Sequence, residues 1–261
     1  ILYAATDNGF YKTTNAGSTW TQIVTDVHND LEFHPTNSTI IYAAFKGTGW
    51  ITKFTGGGSS WSSLLLPGTS SVRTEIAVSA NSANVVYALT VNSGRGLEAI
   101  YKSTNSGGSY TSIFNGSTSG NNLLGYPCDG TTTTGQGTYD VFITANPSNA
   151  NDVYAGGINI WKSTDGGSNW SIKSHWSTTC SPGPGPVTVV HADQHCCEFH
   201  PTTNDVYIGN DGGIYKSTDN GSSWNDLSNT LTINQIYRIG LAKNDPNEMI
   251  IGLQDNGTHL Y

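Results

Sequence analysis

The stretch Trp161-Lys-Ser-Thr-Asp-Gly-Gly-Ser-Asn-Trp170 decides the fold, because the chain writes it four times. The other copies are Tyr11-Lys-Thr-Thr-Asn-Ala-Gly-Ser-Thr-Trp20, Tyr101-Lys-Ser-Thr-Asn-Ser-Gly-Gly-Ser-Tyr110 and Tyr215-Lys-Ser-Thr-Asp-Asn-Gly-Ser-Ser-Trp224. A degraded fifth copy, Phe54-Thr-Gly-Gly-Gly-Ser-Ser-Trp61, carries Gly56 where the others have Asn or Asp. A period of this kind is the mark of a repeat architecture and takes precedence over element-by-element reading.

Two further phrases recur upstream. One is a β-branched run ending in Tyr: Ile1-Leu-Tyr3, Ile40-Ile-Tyr42, Val85-Val-Tyr87, Asp152-Val-Tyr154 and Asp205-Val-Tyr207. Before it come Leu31-Glu-Phe-His-Pro35, Ile76-Ala-Val-Ser-Ala80, Phe142-Ile-Thr-Ala-Asn-Pro147 and Glu198-Phe-His-Pro201. Each unit therefore reads as strand a, turn, strand b, loop, strand c, tight turn, strand d. Four antiparallel strands in roughly 40–50 residues make one blade of a β-propeller. In the tight turn, Asn15, Asn105, Asp165 and Asp219 are placed to accept backbone N–H groups just ahead, and Gly17, Gly107, Gly167 and Gly221 supply positive φ. The closing Trp20, Tyr110, Trp170 and Trp224 are expected to cover the seams between units. These residues read as structural.

The expected fold is all-β: a propeller with four whole blades (28–66, 73–115, 138–175 and 189–230) and two partial ones (1–24 and 236–261). The first unit starts at strand b and the last stops before its turn phrase, so the chain is expected to be part of a longer polypeptide with further domains.

The Ser/Thr-x-Asp-x-Gly-x-x-Trp phrase resembles the Asp box, or BNR repeat, of sialidases, xyloglucan-active glycoside hydrolases and sortilin-type receptors. The segments His191-Ala-Asp-Gln-His195, Gly209-Asn-Asp-Gly-Gly213 and Gly252-Leu-Gln-Asp-Asn-Gly257 are similar to secreted bacterial propellers of the sortilin-like or xyloglucanase-like kind. Enzymes and pure binding proteins share the box, so the resemblance implies a propeller and leaves activity open. A sialidase needs an arginine cluster, whereas Arg73, Arg95 and Arg238 are the only arginines here.

Composition fits this reading. Only 11% of the 261 residues are charged, against roughly 25% in ordinary domains. The 31 glycines answer to the turns. Eleven scattered basic residues in a chain of net charge −8 make no phosphate-tracking stripe, which excludes nucleic acid as a partner. The longest apolar run, Ile40 to Phe45, is far short of the ~20 residues of a spanning helix. Abundant Ser, Thr and Asn with few lysines suits an extracellular or cell-surface location.

Strand order puts the b–c and d–a loops on one face. Long d–a connections (114–138 and 174–190) make it the expected binding face. Asp30, Glu75, Asp140, His195 and Arg238, near the starts of the innermost strands, are expected to ring the mouth of the central channel, with Trp50 and Trp176 nearby for stacking on sugars. Asp7, Asp211 and Asp255, in b–c loops, are the candidates for an acid/base pair, which glycoside hydrolysis requires ~5–10 Å apart. His191, Asp193 and His195 alternate along an extended segment, so with Asp211 they could ligate a divalent ion; no other cofactor is called for. Cys128 and Cys180 lie in d–a loops of consecutive units and can form a disulfide; Cys196 and Cys197 read as buried thiols. Three functions follow as expectations: a glycan- or protein-binding recognition module, part of a glycoside hydrolase, or a structural segment of a surface assembly.

Overall fold

The computed structural model describes residues 1–179, 187–230, 236–241, 249–254 and 257–260. The strands fall into six antiparallel meanders. The first holds β1 (Leu2–Thr6), β2 (Gly9–Thr13) and β3 (Thr21–Val24). The second holds β4 (His28–Phe33), β5 (Ile41–Phe45), β6 (Trp50–Thr55) and β7 (Ser60–Leu65). The third is β8 (Arg73–Val78), β9 (Val86–Val91), β10 (Leu97–Ser103) and β11 (Thr111–Asn115). The fourth is β12 (Phe142–Ala145), β13 (Val153–Gly156), β14 (Ile160–Ser163) and β15 (Ser171–Ser174). The fifth is β16 (Gln194–Phe199), β17 (Val206–Asn210), β18 (Gly213–Ser217) and β19 (Asn225–Asp226). The last is β20 (Ile236–Leu241), β21 (Met249–Leu253) and β22 (Thr258–Leu260). The innermost strands β4, β8, β12 and β16 are successive neighbours, so the sheets stack as blades and the molecule is a β-propeller.

Burial explains the composition of each strand. β9 is buried at every position and β5 at all but its last, because a middle strand is covered by a neighbouring blade on both faces and reads as a near-continuous apolar run. The outermost β7 is exposed along almost its whole length and is correspondingly rich in Ser. The cores lie between consecutive sheets rather than along an axis.

The turn phrase does two things at once. Within the turn, the Asp165 carboxylate accepts hydrogen bonds from Ser163 Oγ (2.8 Å), Ser168 N (3.0 Å), Asn169 N (2.9 Å) and Asn169 Nδ2 (2.7 Å). These donors hold its pKa down to about 2. Asp219 is lowered likewise, to about 2, by Ser223, Ser217 and Ser222. Asn15 and Asn105 accept the equivalent backbone N–H groups of Thr19 and Ser109, both at 2.9 Å. Across the seam, the turn of one blade packs on the Tyr of the preceding blade: Tyr3 Oη donates to Gly57 O (2.9 Å) and Lys53 Nζ to Ser106 O (2.7 Å). Gly107 has φ 76°, and a Cβ there would lie 2.9 Å from Tyr42 Cε1, so glycine is required for both conformation and approach. Of the closing aromatics, Tyr110 and Trp224 are buried, with Trp224 Nε1 donating to Lys173 O across the seam (3.2 Å). Trp170 meets Phe114 of the preceding blade with 6.3 Å between ring centroids. Trp20 and Trp61 instead remain exposed, so the seam-covering role does not extend to the first two blades.

The loop before β12 differs from a bare connection. Leu123, Leu124 and Cys128 are buried in the core between the third and fourth blades, alongside Val91 and Leu97. Asn122 anchors it, accepting from Leu97 N (2.8 Å) and donating to Thr134 O (2.9 Å). Cys128 is disulfide-bonded, while Cys180, its expected partner, lies outside the described residues. Cys196 and Cys197 are free thiols. Only Cys197 is buried: successive residues of β16 point to opposite faces, which leaves Cys196 exposed.

Candidate functional site at the channel mouth

Register along the inner strands places the expected ring residues. Asp30 pairs with Ala44 and Glu75 with Leu89, each two residues farther from the a–b turn than the Glu32–Tyr42 and Ala77–Tyr87 pairs. The same register position holds Phe142 on β12, Cys196 on β16 and Arg238 on β20. Asp140 precedes β12 by two residues, and His195 falls at a β-bulge where the ladder skips from Gln194 to Cys196. A matching bulge at Asn29 interrupts β4 between His28 and Asp30. The extra residue of a bulge re-aims its side chain, and His195 is exposed and bonded to Asp211. Arg238 is placed in β20 by register alone.

Asp30 and Glu75 do meet. Asp30 accepts from Ile76 N at 2.6 Å, and the two carboxyls are hydrogen-bonded to each other. Burial, and then the Asp30 charge, push Glu75 up to about 8, against the pull of Arg73. Burial also raises Asp30. A single proton shared by the pair satisfies both observations. Arg73 Nε donates to Glu75 Oε1 (2.7 Å), and Asn29 Nδ2 donates to the same oxygen (3.1 Å).

Asp140 is fully buried, and among the described residues neither carboxyl oxygen meets a donor from another residue; its own backbone N–H is the one group that pulls its pKa down. Burial, and then the neighbouring carboxylates of Asp193 and Asp211, raise its pKa. Its side chain faces that of Asp193, so a proton held between the two resolves what would otherwise be an unmet buried charge. Asp193 adopts φ 65° and accepts from Gln136 Nε2 at 2.9 Å.

Outside this buried pair lies an exposed trio. Asp211 Oδ2 accepts from Tyr139 Oη (2.9 Å), Asp211 Oδ1 meets His195 Nε2 (2.7 Å), and the Tyr139 and His195 rings are edge-on at 5.1 Å. Tyr139 is 56% exposed. Trp176 is also exposed and donates its indole N–H to the backbone carbonyl of Tyr126 (3.2 Å), itself an exposed aromatic. Trp50 is exposed at the start of β6.

The other expected groupings are not assembled in this way. Asp7 is a surface residue of the first blade paired with Lys46 at 2.6 Å; Asp255 lies outside the described residues. His191 Nδ1 bonds the Ala192 carbonyl (3.1 Å), and His195 is engaged with Asp211. Among the described residues no three His, Cys, Asp or Glu side chains converge as a metal ion needs, because the bulge at His195 breaks the two-residue alternation that would have aligned them.

Sequence reasoning passed over a second layer of the channel. Glu32, Ala77, Thr144 and Glu198 line one cavity of about 270 Å³ with Phe199, Pro147 and Pro201. Burial, then Asp30 and Glu198, push Glu32 up to about 8. The signal was present in the repeated Glu-Phe-His-Pro of Glu32–Pro35 and Glu198–Pro201.

No family model matches the chain, and no curated protein matches it by sequence. Among solved structures it is similar to an ancestral GH74 enzyme, with TM-score 0.58 and 21% identity, covering 96% of this chain and 33% of that one. It is similar to the GH74 xyloglucanase from Xanthomonas campestris, with TM-score 0.55 and 15% identity over 90% of this chain and 36% of that one. A virginiamycin B lyase from Staphylococcus aureus gives TM-score 0.52 and 15% identity, covering 99% of this chain and 78% of that one. The chain thus spans about a third of the length of the two GH74 proteins. At these identities the likeness is one of fold, and the fold shared across a glycoside hydrolase and a lyase is the β-propeller.

Proposed function

We propose that the chain is an Asp-box propeller that recognises glycans outside the cell or at its surface, through the face built by its b–c and d–a loops. The observation that carries this reading is the exposed Tyr139 held by Asp211 beside His195, with the Trp176–Tyr126 pair on the same face. Sugars bind by stacking a C–H face on an aromatic ring while fixed polar groups read the hydroxyls, and this face offers both. A glycan array probed with the purified chain tests it. Binding that is lost in Tyr139→Ala or Trp176→Ala supports the reading. Absence of binding to every glycan class overturns it and leaves a protein ligand or a structural segment.

A second reading, part of a glycoside hydrolase, is favoured by one observation. Asp211 sits between a phenol and an imidazole at the channel mouth, within electrostatic reach of the protonated Asp140, which suits acid/base work. The fold-level likeness to xyloglucanases makes xyloglucan the first substrate to try. Reducing-sugar release that disappears in Asp211→Asn would support it; equal release from both proteins would rule it out.

A further inference from the structure

A cavity of about 330 Å³ opens where the second and third blades meet, lined by Asn29, Lys46, Val72, Arg73 and Thr138. Its volume lies within the range of small-ligand sites, roughly 300–1,000 Å³. Two of the chain's eleven basic residues face this one space in a molecule of net charge −8.

Arg73 is held rather than free. Its Nε donates to Glu75 Oε1 (2.7 Å), and its Nη1 donates to the carbonyls of Thr138 (3.0 Å) and Tyr139 (3.1 Å). Among the described residues, Nη2 carries no hydrogen bond, so one edge of a pre-positioned guanidinium remains available. Such an edge is worth more to an anion than a mobile cation, because its ordering cost is already met in the free protein. Glu75 shares its proton with Asp30, so the Arg73 charge is only partly cancelled. Among the described residues Lys46 Nζ is bonded only to the exposed Asp7, in a surface pair whose side chains are 58% and 82% accessible. Pairs of that kind contribute little, and the ammonium can exchange partners at small cost.

The remaining lining fits a sugar ring. Val72 gives an apolar patch for C–H groups and Thr138 a hydroxyl, and the buried Asn29 Oδ1 has no donor. The acidic channel beside the cavity disfavours a dianion such as a phosphate monoester. We infer that this cavity takes the carboxylate of a uronic acid residue within a glycan, with Arg73 Nη2 and Lys46 Nζ as the donors. The inference rests on the glycan-recognition reading and names the sugar class that reading leaves open.

Titration calorimetry of the intact chain with trigalacturonate and with its methyl ester tests it, since the ester keeps the ring and removes the charge. The acid should bind about tenfold or more tightly than the ester at low salt, Lys46→Met should cut that difference severalfold, and Arg73→Met should remove most of it. Lys46 is exposed and outside every core, so the variant should fold; Arg73→Met, which also frees two carbonyls, is the second variant. Equal binding of acid and ester, or a preference left unchanged by both Lys46→Met and Arg73→Met, overturns the inference. If neutral glycans bind and trigalacturonate does not, this inference falls while the recognition reading stands. If no glycan of either kind binds, both fall.

Discussion

Asp140→Asn should make the protein more stable at neutral and alkaline pH, and the size of the effect follows from the burial of one side chain. Asp140 is fully enclosed, meets among the described residues no donor other than its own backbone N–H, and faces the carboxyl of Asp193. The folded chain must therefore keep a proton that the unfolded chain, with an ordinary aspartate value of 3.8, has lost. Holding it at neutral pH costs ~1.4 kcal/mol per pH unit over roughly three units, an upper bound of about 4 kcal/mol. Asn preserves the shape, carries no charge and can donate from its amide to Asp193. Because the folded-state pKa is raised, the native state binds more protons than the unfolded state above pH 4. Wild-type stability then falls as pH rises from the unfolded value towards the folded one, while the variant escapes that loss. Denaturant unfolding followed by the fluorescence of the seven tryptophans is the assay, run at about pH 4, 6 and 8. The two proteins should nearly coincide at the acid end, with the variant ahead by about 2–4 kcal/mol at the alkaline end, or several degrees in Tm. A difference that is constant with pH, or a variant that is weaker at pH 8, would refute a protonated Asp140.

Three smaller predictions address the scaffold. Gly107→Ala forces a side chain into left-handed backbone and against Tyr42, and should cost about 1–3 kcal/mol in an unfolding titration, more than a turn glycine with open space such as Gly68. Asp165→Asn should leave both fold and any ligand binding nearly unchanged, because Asn15 and Asn105 fill the same role, whereas Asp165→Ala, which leaves the turn donors unmet, should cost about 1–3 kcal/mol. Leu124→Ala should cost about 2–5 kcal/mol in thermal unfolding, since that loop side chain is buried in the core between the third and fourth blades; a loss under 1 kcal/mol would mean the loop is only draped on the surface.

The blade was legible because its signals are local. A turn needing an acceptor, a positive-φ glycine and an aromatic within ten residues writes itself into contiguous sequence, and each copy checks the others. The ring at the channel mouth was not legible in the same way. Counting residues along His28–Phe33 and Gln194–Phe199 assumes an unbroken period of two, and a bulge at Asn29 and at His195 shifts everything upstream by one. Nothing in the residue types marks those bulges. Asp30 and Glu75, which lie after any shift, sit at one register position; Asp140 lies before β12 and His195 within a bulge, so their places follow from loop geometry rather than from counting along a strand. The perturbation of Asp140 was also invisible, because the charges that add to its burial, Asp193 and Asp211, arrive from another blade. The Asp193–His195–His191 alternation failed as a metal constellation for the same reason, while the Tyr139–Asp211 contact, across 72 residues, had no sequence signal.

The electrostatics of the channel and of its rim point in opposite directions, and this separation bears on what the molecule can hold. Along the axis, Asp30 with Glu75 and Asp140 with Asp193 each enclose two carboxyls, and Glu32 looks across a cavity at Glu198. Removal from water makes the second charge of each pair expensive, so protons enter the folded state instead. Among the described residues, a channel in that condition disfavours anions. Lys46 and Arg73 stand just outside it, where Arg73 neutralises the rim of the acid pair on one side and presents a free edge on the other. An anionic ligand is therefore confined to the rim cavity, while the Tyr139–His195–Asp211 trio on the neighbouring blades can engage only neutral hydroxyls. A glycan with one acidic residue and a neutral continuation would satisfy both sites, and a uniformly charged polymer would satisfy the rim alone. Comparing an alternating acidic–neutral oligosaccharide with a homopolymeric uronate of equal length separates the two: the alternating chain should bind more tightly, and a stronger homopolymer would show that the charge pattern of the channel does not govern what lies over it.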